Sequence, residues 1–552
     1  MLAVKPQWLA KMYPPKTGRD HLGLGSVSAD QILPSLSPGI NVLTIHPRYH
    51  SFYTFLLDEF WRRKLPRTRK AWVAFYRPRE FIFSVGCYLC PQPDHGNMGN
   101  IVGGSKTSPL ARSAVEEFDT TTEYIQSDLG GYGLYYRSVI AEMGLILPGG
   151  RGLPLPVDVP TELGKEVAEA FRSAVKETRY YQHYFDSNET LVPRDVVVEY
   201  ASRACHCQLR TPVAPDRPAL LDLFLHHGGD QQAEARRQTM RLMLDIAEQT
   251  DGIPLTEDVF RLILYFGETG MGRAYTPSAQ IQSTYSRWRL YQAREYYAFA
   301  LNELWYYLCS WGMAERGDVR PIEISFFWDH LERDALSFGA LAAAVGIPDP
   351  GIDGNSDLRD LLNWLESARE KREKGLSGTW NHRSALSENR LYELASSNLS
   401  SPTAVAGMIA LLGQVYLRFS EKRLRHRDEW LIARMGGVER LSLDRYIRWV
   451  EKLLASGRIS ILEFAREIYS DYVIMQHQLV AASKMPDNTY RFRREGNRLH
   501  FFPHENYVGF NSARFTALST TVHELGLCGD LTEEEHPLTP DGQKLLREGD
   551  LE

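Results

Sequence analysis

The apolar positions of this chain recur mainly at three- and four-residue spacing, the period of one face of an α-helix. The pattern opens at Arg48-Tyr49-His50-Ser51-Phe52-Tyr53-Thr54-Phe55-Leu56-Leu57, where large side chains return every third or fourth position. It continues over 195–209, 218–226, 233–249, 257–266 and the aromatic stretch 286–311. The most apolar segment, 404–417, is interrupted by Gln414. It falls short of the ~18 residues that a membrane-spanning helix needs, so it predicts a buried helix. Period-two alternation is local. Over 490–501, Tyr490, Phe492 and Leu499 are expected to face inward while Arg491 and Arg493 face out, as a short basic β-hairpin does. A helix over 469–484 and a turn at Pro486-Asp487-Asn488 lead into it.

Two places share a cadence. Near the N-terminus a helix ends in Gly144-Leu145-Ile146, a turn follows at Gly149-Gly150-Arg151-Gly152, and Thr161-x-x-Gly164 starts the next helix. Near the C-terminus Leu525-Gly526-Leu527 is followed by Leu538-Thr539-Pro540-Asp541-Gly542. Glycine ends the first helix in the left-handed conformation, a hairpin forms a wing, and threonine caps the second helix. The predicted fold is therefore mainly α: a multidomain helical protein with winged-helix-like units near the N- and C-termini and short β-hairpins. Four domains are expected. They are 1–175, helical and winged-helix-like; 176–315 and 316–435, both helical; and 436–552, a helix, the basic hairpin and the second winged-helix-like unit.

Composition adds limits. The 552 residues are 43% hydrophobic and 24% charged, with a net charge of -6. No global attraction to nucleic acid or membrane follows from that balance, so any anionic partner must meet a local basic patch. Two such patches exist: Arg62, Arg63, Lys64, Arg67, Arg69 and Lys70, and Arg491, Arg493, Arg494 and Arg498 on the hairpin. Both are assigned to nucleic-acid or partner contact, because clustered cations neutralise phosphates or pair with acids. A third run, Lys422 to Arg427, reads as a solvated helix end. The N-terminal residues lack the apolar run of a secretory signal, and six cysteines do not make a disulfide framework in a chain this long. A cytoplasmic, reduced protein without membrane contact is expected.

Chemistry is sparse. Gly99 to Thr107 superficially resembles a phosphate-binding loop, but Ser105 separates glycine from lysine and no apolar strand precedes it. Cys87-x-x-Cys90 and Cys205-His206-Cys207, with His95, offer soft ligands of the kind zinc takes. Nothing in the sequence forces the two segments together, and 205–207 falls on an expected helix that would bury cysteine as a small hydrophobe. No metal and no cofactor are therefore assigned. His226-His227 with Asp230 reads as a surface loop, and His523-Glu524 lacks the second histidine of a helical metalloprotease site. His477, on an apolar helix, reads as a hydrogen-bonded core residue. No catalytic residue is assigned.

The chain resembles a family of large bacterial proteins of unknown function associated with anti-phage defence loci. The matching pieces are Asp20-His21-Leu22-Gly23, Pro38-Gly39-Ile40, Arg48-Tyr49-x-Ser51-Phe52 and Val102-Gly103-Gly104-Ser105. Further on they are Tyr291-Gln292-x-x-Glu295-Tyr296, Gln476-His477-Gln478-Leu479, Lys484, Tyr490-Arg491-Phe492-Arg493 and Leu525-Gly526-Leu527. The resemblance implies a subunit of a multi-component system, alongside an ATPase or nuclease encoded in the same operon, and it transfers no catalytic residue. The expected role is a non-enzymatic recognition or scaffold subunit contacting that partner, double-stranded DNA, or both. Two alternatives stay open: a nuclease or other enzyme whose site is assembled from distant segments, and a winged-helix transcriptional regulator.

Overall fold

The computed structural model describes residues 20–92, 95, 99–150, 152–368, 382–397, 401–420, 441–485, 489–503 and 508–551. The chain is mainly helical, with 61% helix against 5% strand. It forms two compact units that run across the four expected blocks. One comprises the described residues up to Leu33 with Asp258–Thr276 and Tyr285–Asn511, the other Pro34–Glu257, Pro277–Thr284 and Ser512 to the C-terminus. They are called the long-helix unit and the thiol unit below.

The thiol unit is built around α1 (Arg48–Arg62), which buries Tyr49, Phe52, Tyr53, Phe55, Leu56 and Phe60. A helix buried on nearly every side must also bury its polar groups, and each needs a partner. Arg48 and Asp216, both fully buried, form a bidentate pair, with Nε to Oδ2 at 3.0 Å and Nη2 to Oδ1 at 2.9 Å. At the other end Asp58 and Glu59 meet Arg172 of α3 (Glu162–Val175). Between them in sequence, α2 (Arg69–Leu89) starts at Thr68, whose hydroxyl accepts from the Ala71 amide at 3.2 Å. Buried Glu80 of α2 accepts from Tyr53 Oη (2.7 Å), from Tyr124, and from the amides of Gly131 and Tyr132. The α2 helix packs on α4 (Arg194–Ala204), where Gly86 faces Ala201. The expected helix over 195–209 thus stops at Ala204; Cys205 is extended (ψ 147°) and a separate 3-10 turn covers His206–Arg210.

The long-helix unit centres on α5 (Gln282–Ala314), whose 33 residues exceed the expected 286–311 at both ends. Its polar face is used internally. Arg294 donates to Leu24 O (3.1 Å) and Ser28 Oγ (2.6 Å), and Glu295 accepts from Ser28 Oγ (2.5 Å) and the Asn511 amide (2.9 Å). The apolar helix α6 (Pro402–Phe419) is 78% buried over the window that would span a membrane, and its Arg418 pairs with buried Glu388 at 2.8 Å. The basic hairpin forms as Phe492–Glu495 and Arg498–Phe501, with a third strand, Ile322–Glu323, beside the second. His477 lies in the core as expected: Nδ1 donates to His21 O (3.1 Å) and Nε2 accepts from the Arg491 amide (3.0 Å). Burial pushes that imidazole down to about 4. The expected turn at 486–488 and the run 422–427 lie outside the described residues.

In the thiol unit the shared cadence becomes a shared geometry. The helix Arg137–Glu142 ends at Gly144 (φ 81°), Ile146–Leu147 pairs antiparallel with Val159–Pro160, and Thr161 caps α3. Likewise α7 (Phe515–Glu524) ends at Gly526 (φ 70°), Cys528 bridges Leu538, and Thr539 caps α8 (Pro540–Glu548). Each threonine hydroxyl accepts from the glycine amide three residues on (3.0 and 3.1 Å). Each also donates back to the carbonyl of the glycine that ended the first helix (2.7 and 2.8 Å). The ladders are short, two residue pairs in one arm and a single bridge in the other.

Candidate functional site

The densest chemistry in the thiol unit lies where α2 ends and the turn after α4 begins. Cys90 is the residue after α2, and the turn carries Cys205, His206 and Cys207. The fold brings the two segments together although 117 residues separate Cys90 from Cys207: their Sγ atoms are 3.5 Å apart. His95 Nδ1 lies 3.5 Å from Cys205 Sγ. The donor atoms of Cys90, His95, Cys205 and Cys207 all lie within 4.8 Å of one another. From sequence no metal is assigned, since nothing there forces the segments into proximity and 205–207 falls on an expected helix. Both premises are corrected here. The break after Ala204 turns two cysteines of a C-x-C pair, which a helix would splay, toward one point.

Polar partners position this group. Arg48, already bidentate on Asp216, directs its remaining nitrogen to Cys205 O at 2.5 Å. Gln208 Nε2 donates to Cys207 Sγ at 3.4 Å, and Arg210 reaches His95 O at 3.4 Å. Hydrogen bonds from Cys205 and Cys90, with His95 and Gln208, hold the Cys207 thiol far below its ordinary range. The same bonds push Cys90 up, and burial does so for Cys205. Such a group offers soft, anionic ligands.

A second histidine cluster touches the first through His206. His46 Nδ1 lies 2.8 Å from Glu524 Oε1, both side chains buried, and its Nε2 lies 2.9 Å from the carbonyl of exposed Gly99. Both partners are acceptors, so both ring nitrogens carry protons and His46 is an imidazolium. Burial opposes that charge, but Glu524's charge and hydrogen bond and the Gly99 carbonyl outweigh it and raise the pKa. With both nitrogens engaged, His46 has no lone pair to give a metal. His206 stacks on it at 4.3 Å and 21°, and lies 4.6 Å from Tyr49. Burial lowers its pKa well below the ordinary value, so it is neutral. Its two ring nitrogens have no hydrogen-bond partner among the described residues, which costs about 1–3 kcal/mol each. Stacking returns about 0.5–1.5 kcal/mol per aromatic pair. His206 is therefore held in place by its flanking cysteines as much as by its own contacts.

The basic residues assigned to binding fare unequally. Arg62 pairs with Asp58 (2.7 Å) and Glu169 (3.1 Å), and Arg63 with Glu59 and Asp186. Lys64, Arg67, Arg69 and Lys70 stay exposed, Arg67 lying 4.7 Å over the Trp61 ring. On the hairpin, Arg491 was expected to face out and is instead 3% exposed. It precedes the first strand, its amide bonds to His477 draw it inward, and burial lowers its pKa. Arg493 pairs with Glu495, Arg494 donates to Gly496 O (2.9 Å), and Arg498 pairs with Glu323 (2.5 Å). The phosphate-loop look-alike opens directly into the helix Gly104–Arg112, with no strand before it among the described residues. His523 and Glu524 part company, the first to Arg210 (3.1 Å) and the second to His46.

No family model, curated protein or solved structure matches this chain. The functional reading rests on its own geometry.

Proposed function

We propose that this protein is a non-enzymatic recognition or scaffold subunit of a bacterial anti-phage defence complex, meeting an anionic surface, DNA or an acidic partner. One observation carries the reading. Lys64, Arg67, Arg69 and Lys70 stand exposed at the start of α2, whose first turn holds no acidic residue. A helix N-terminus is itself positive, so cations there are electrostatically misplaced for stability. They are well placed to receive an anion from outside the chain. The hairpin arginines support the reading less, since Arg493 and Arg498 each hold a carboxylate of this chain. The two arms, read as winged-helix-like units, supply rigid helix ends for a partner ATPase or nuclease. Glu303 is a core residue, fully buried and pushed up to about 9 by burial alone.

The test is binding of a double-stranded DNA fragment, and of the neighbouring operon products, by wild type and by a Lys64→Glu/Arg67→Glu/Arg69→Glu/Lys70→Glu variant. DNA contact predicts that the variant binds at least tenfold more weakly, with a shallower dependence of log K on log salt. An acidic partner predicts the same loss in co-purification with DNA binding absent in both proteins. Unchanged binding of both ligands would remove the proposal.

A further inference from the structure

We infer that Cys90, His95, Cys205 and Cys207 are the complete ligand set of one structural zinc ion. Zinc takes thiolate sulfur at about 2.3 Å and imidazole nitrogen at about 2.0–2.1 Å in a tetrahedron. That geometry requires S–S separations of about 3.8 Å and S–N separations of about 3.6 Å. The observed Cys90–Cys207 and Cys205–His95 separations are both 3.5 Å, and no pair among the four donors exceeds 4.8 Å. All four atoms fit around a single point. Three thiols and one imidazole select zinc over hard cations, and four protein ligands leave no open position for substrate. Cys87 does not join the group, although it lies against Cys205.

The surroundings fit the charge. A zinc ion with three thiolates and a neutral histidine carries a net charge of about -1. Arg210, bonded to the His95 carbonyl, stands beside it as a cation, Arg48, already paired with Asp216, donates to the Cys205 carbonyl, and Gln208 donates to Cys207 sulfur. Such outer partners orient ligands and tune their basicity. Binding moves no electrons: each thiol still protonated releases its proton to solvent as its Zn–S bond forms. The ion would clamp the end of α2 to the turn after α4 and fix His206, which lies between two ligands, against His46. This inference is independent of the anionic-partner reading, because the exposed cations play no part in it.

The full chain, purified under reducing conditions without chelator, is expected to carry one zinc per molecule by elemental analysis. After zinc removal it should take up Co2+ with the intense visible absorption of a tetrahedral thiolate site. Zinc should also shield Cys90, Cys205 and Cys207 from iodoacetamide, and chelation should expose them. His95→Ala, at a half-buried position, and Cys207→Ser are each expected to cut zinc content at least tenfold, while Cys309→Ala leaves it unchanged. Should Cys207→Ser fail to fold, His95→Ala and the cobalt spectrum of wild type still decide. Three results would overturn the inference: metal-free protein that also gives no cobalt spectrum, full zinc content in His95→Ala, or a Cys90–Cys207 disulfide in protein kept reduced.

Discussion

The two arms of the thiol unit reach one geometry by different fastenings. In both, a glycine in left-handed conformation ends a helix, two chain segments pair briefly, and a threonine caps the next helix while bonding back to that glycine's carbonyl. The helix of the first arm, α3, is anchored by Arg172, which enters a nearly buried group with Asp58 and Glu59 of α1. The helix of the second, α8, is anchored by Asp541, which meets Arg217 at 2.7 Å while remaining 46% exposed. The loops differ too. Asp158 ties the first through Arg137 (2.7 Å), Tyr132 (2.5 Å) and the Gly149 amide (2.6 Å). In the second, buried His536 is bonded to Glu533 O (3.0 Å), beneath three exposed acids, Glu533, Glu534 and Glu535. Backbone geometry is thus set by glycine and threonine placement, and the anchoring charges are free to vary around it.

Breaking the anchors should separate the arms most. Arg172→Met leaves Asp58 and Glu59 buried with fewer cations, and is expected to cost about 3–5 kcal/mol, toward the lower figure because Arg62 and Arg63 also reach them. Arg217→Met leaves a half-exposed carboxylate that water can solvate, and is expected to cost about 1–3 kcal/mol. Denaturant unfolding of the two variants measures the difference. Equal costs would mean that the burial of the first anchor contributes nothing.

Acidification offers a milder separation. His50 of α1 is fully buried, packs edge-on against Tyr136 at 5.9 Å just ahead of the first arm, and is pushed down to about 4. Burial is the main cause; the Arg236 charge adds to it and the Pro47 carbonyl opposes it. Because the folded-state pKa is below the unfolded value of about 6.5, the unfolded chain takes up the proton first. Stability is full above pH about 6.5 and falls by about 3 kcal/mol as pH drops to about 4. Hydrogen exchange read across that window should lose protection around Tyr136 before Thr539. Uniform loss would tie both arms to a single opening.

How much of this was legible follows from what each element depends on. The long aromatic helix, the buried apolar helix and the basic hairpin were readable because one short window carries the whole pattern. The repeated arms were readable because Gly and Thr act on residues only a few positions away. The thiol cluster was not, since Cys90 and Cys207 meet only through the packing of α2 on α4, and no local period encodes that contact. The break after Ala204 had a signal, though: Cys-His-Cys is a run of weak helix formers, and a helix could not aim both thiols one way. Arg491 misled for a related reason. Alternation was started at Tyr490, two residues ahead of the strand, which begins at Phe492.

The finest test of the arms concerns the glycine three residues after each cap. A Cβ at Gly164 would lie 2.1 Å from Leu145 O, and one at Gly542 would lie 1.9 Å from Leu527 O. Both obstacles are backbone, so the helix and the segment that follows the first helix must part. Gly164→Ala and Gly542→Ala are each expected to cost about 1–3 kcal/mol, although alanine is the better helix former by about 1 kcal/mol. The caps themselves should cost less. Thr161→Val and Thr539→Val remove a hydroxyl that accepts one amide and donates to one carbonyl, and about 1 kcal/mol is expected from each. If the arms are mechanically equivalent, the two glycine variants should match within about 0.5 kcal/mol, and so should the two threonine variants, despite the unequal anchors. A larger cost at Thr161 than at Thr539 would show that the two-pair ladder of the first arm depends on its cap in a way the single bridge of the second does not.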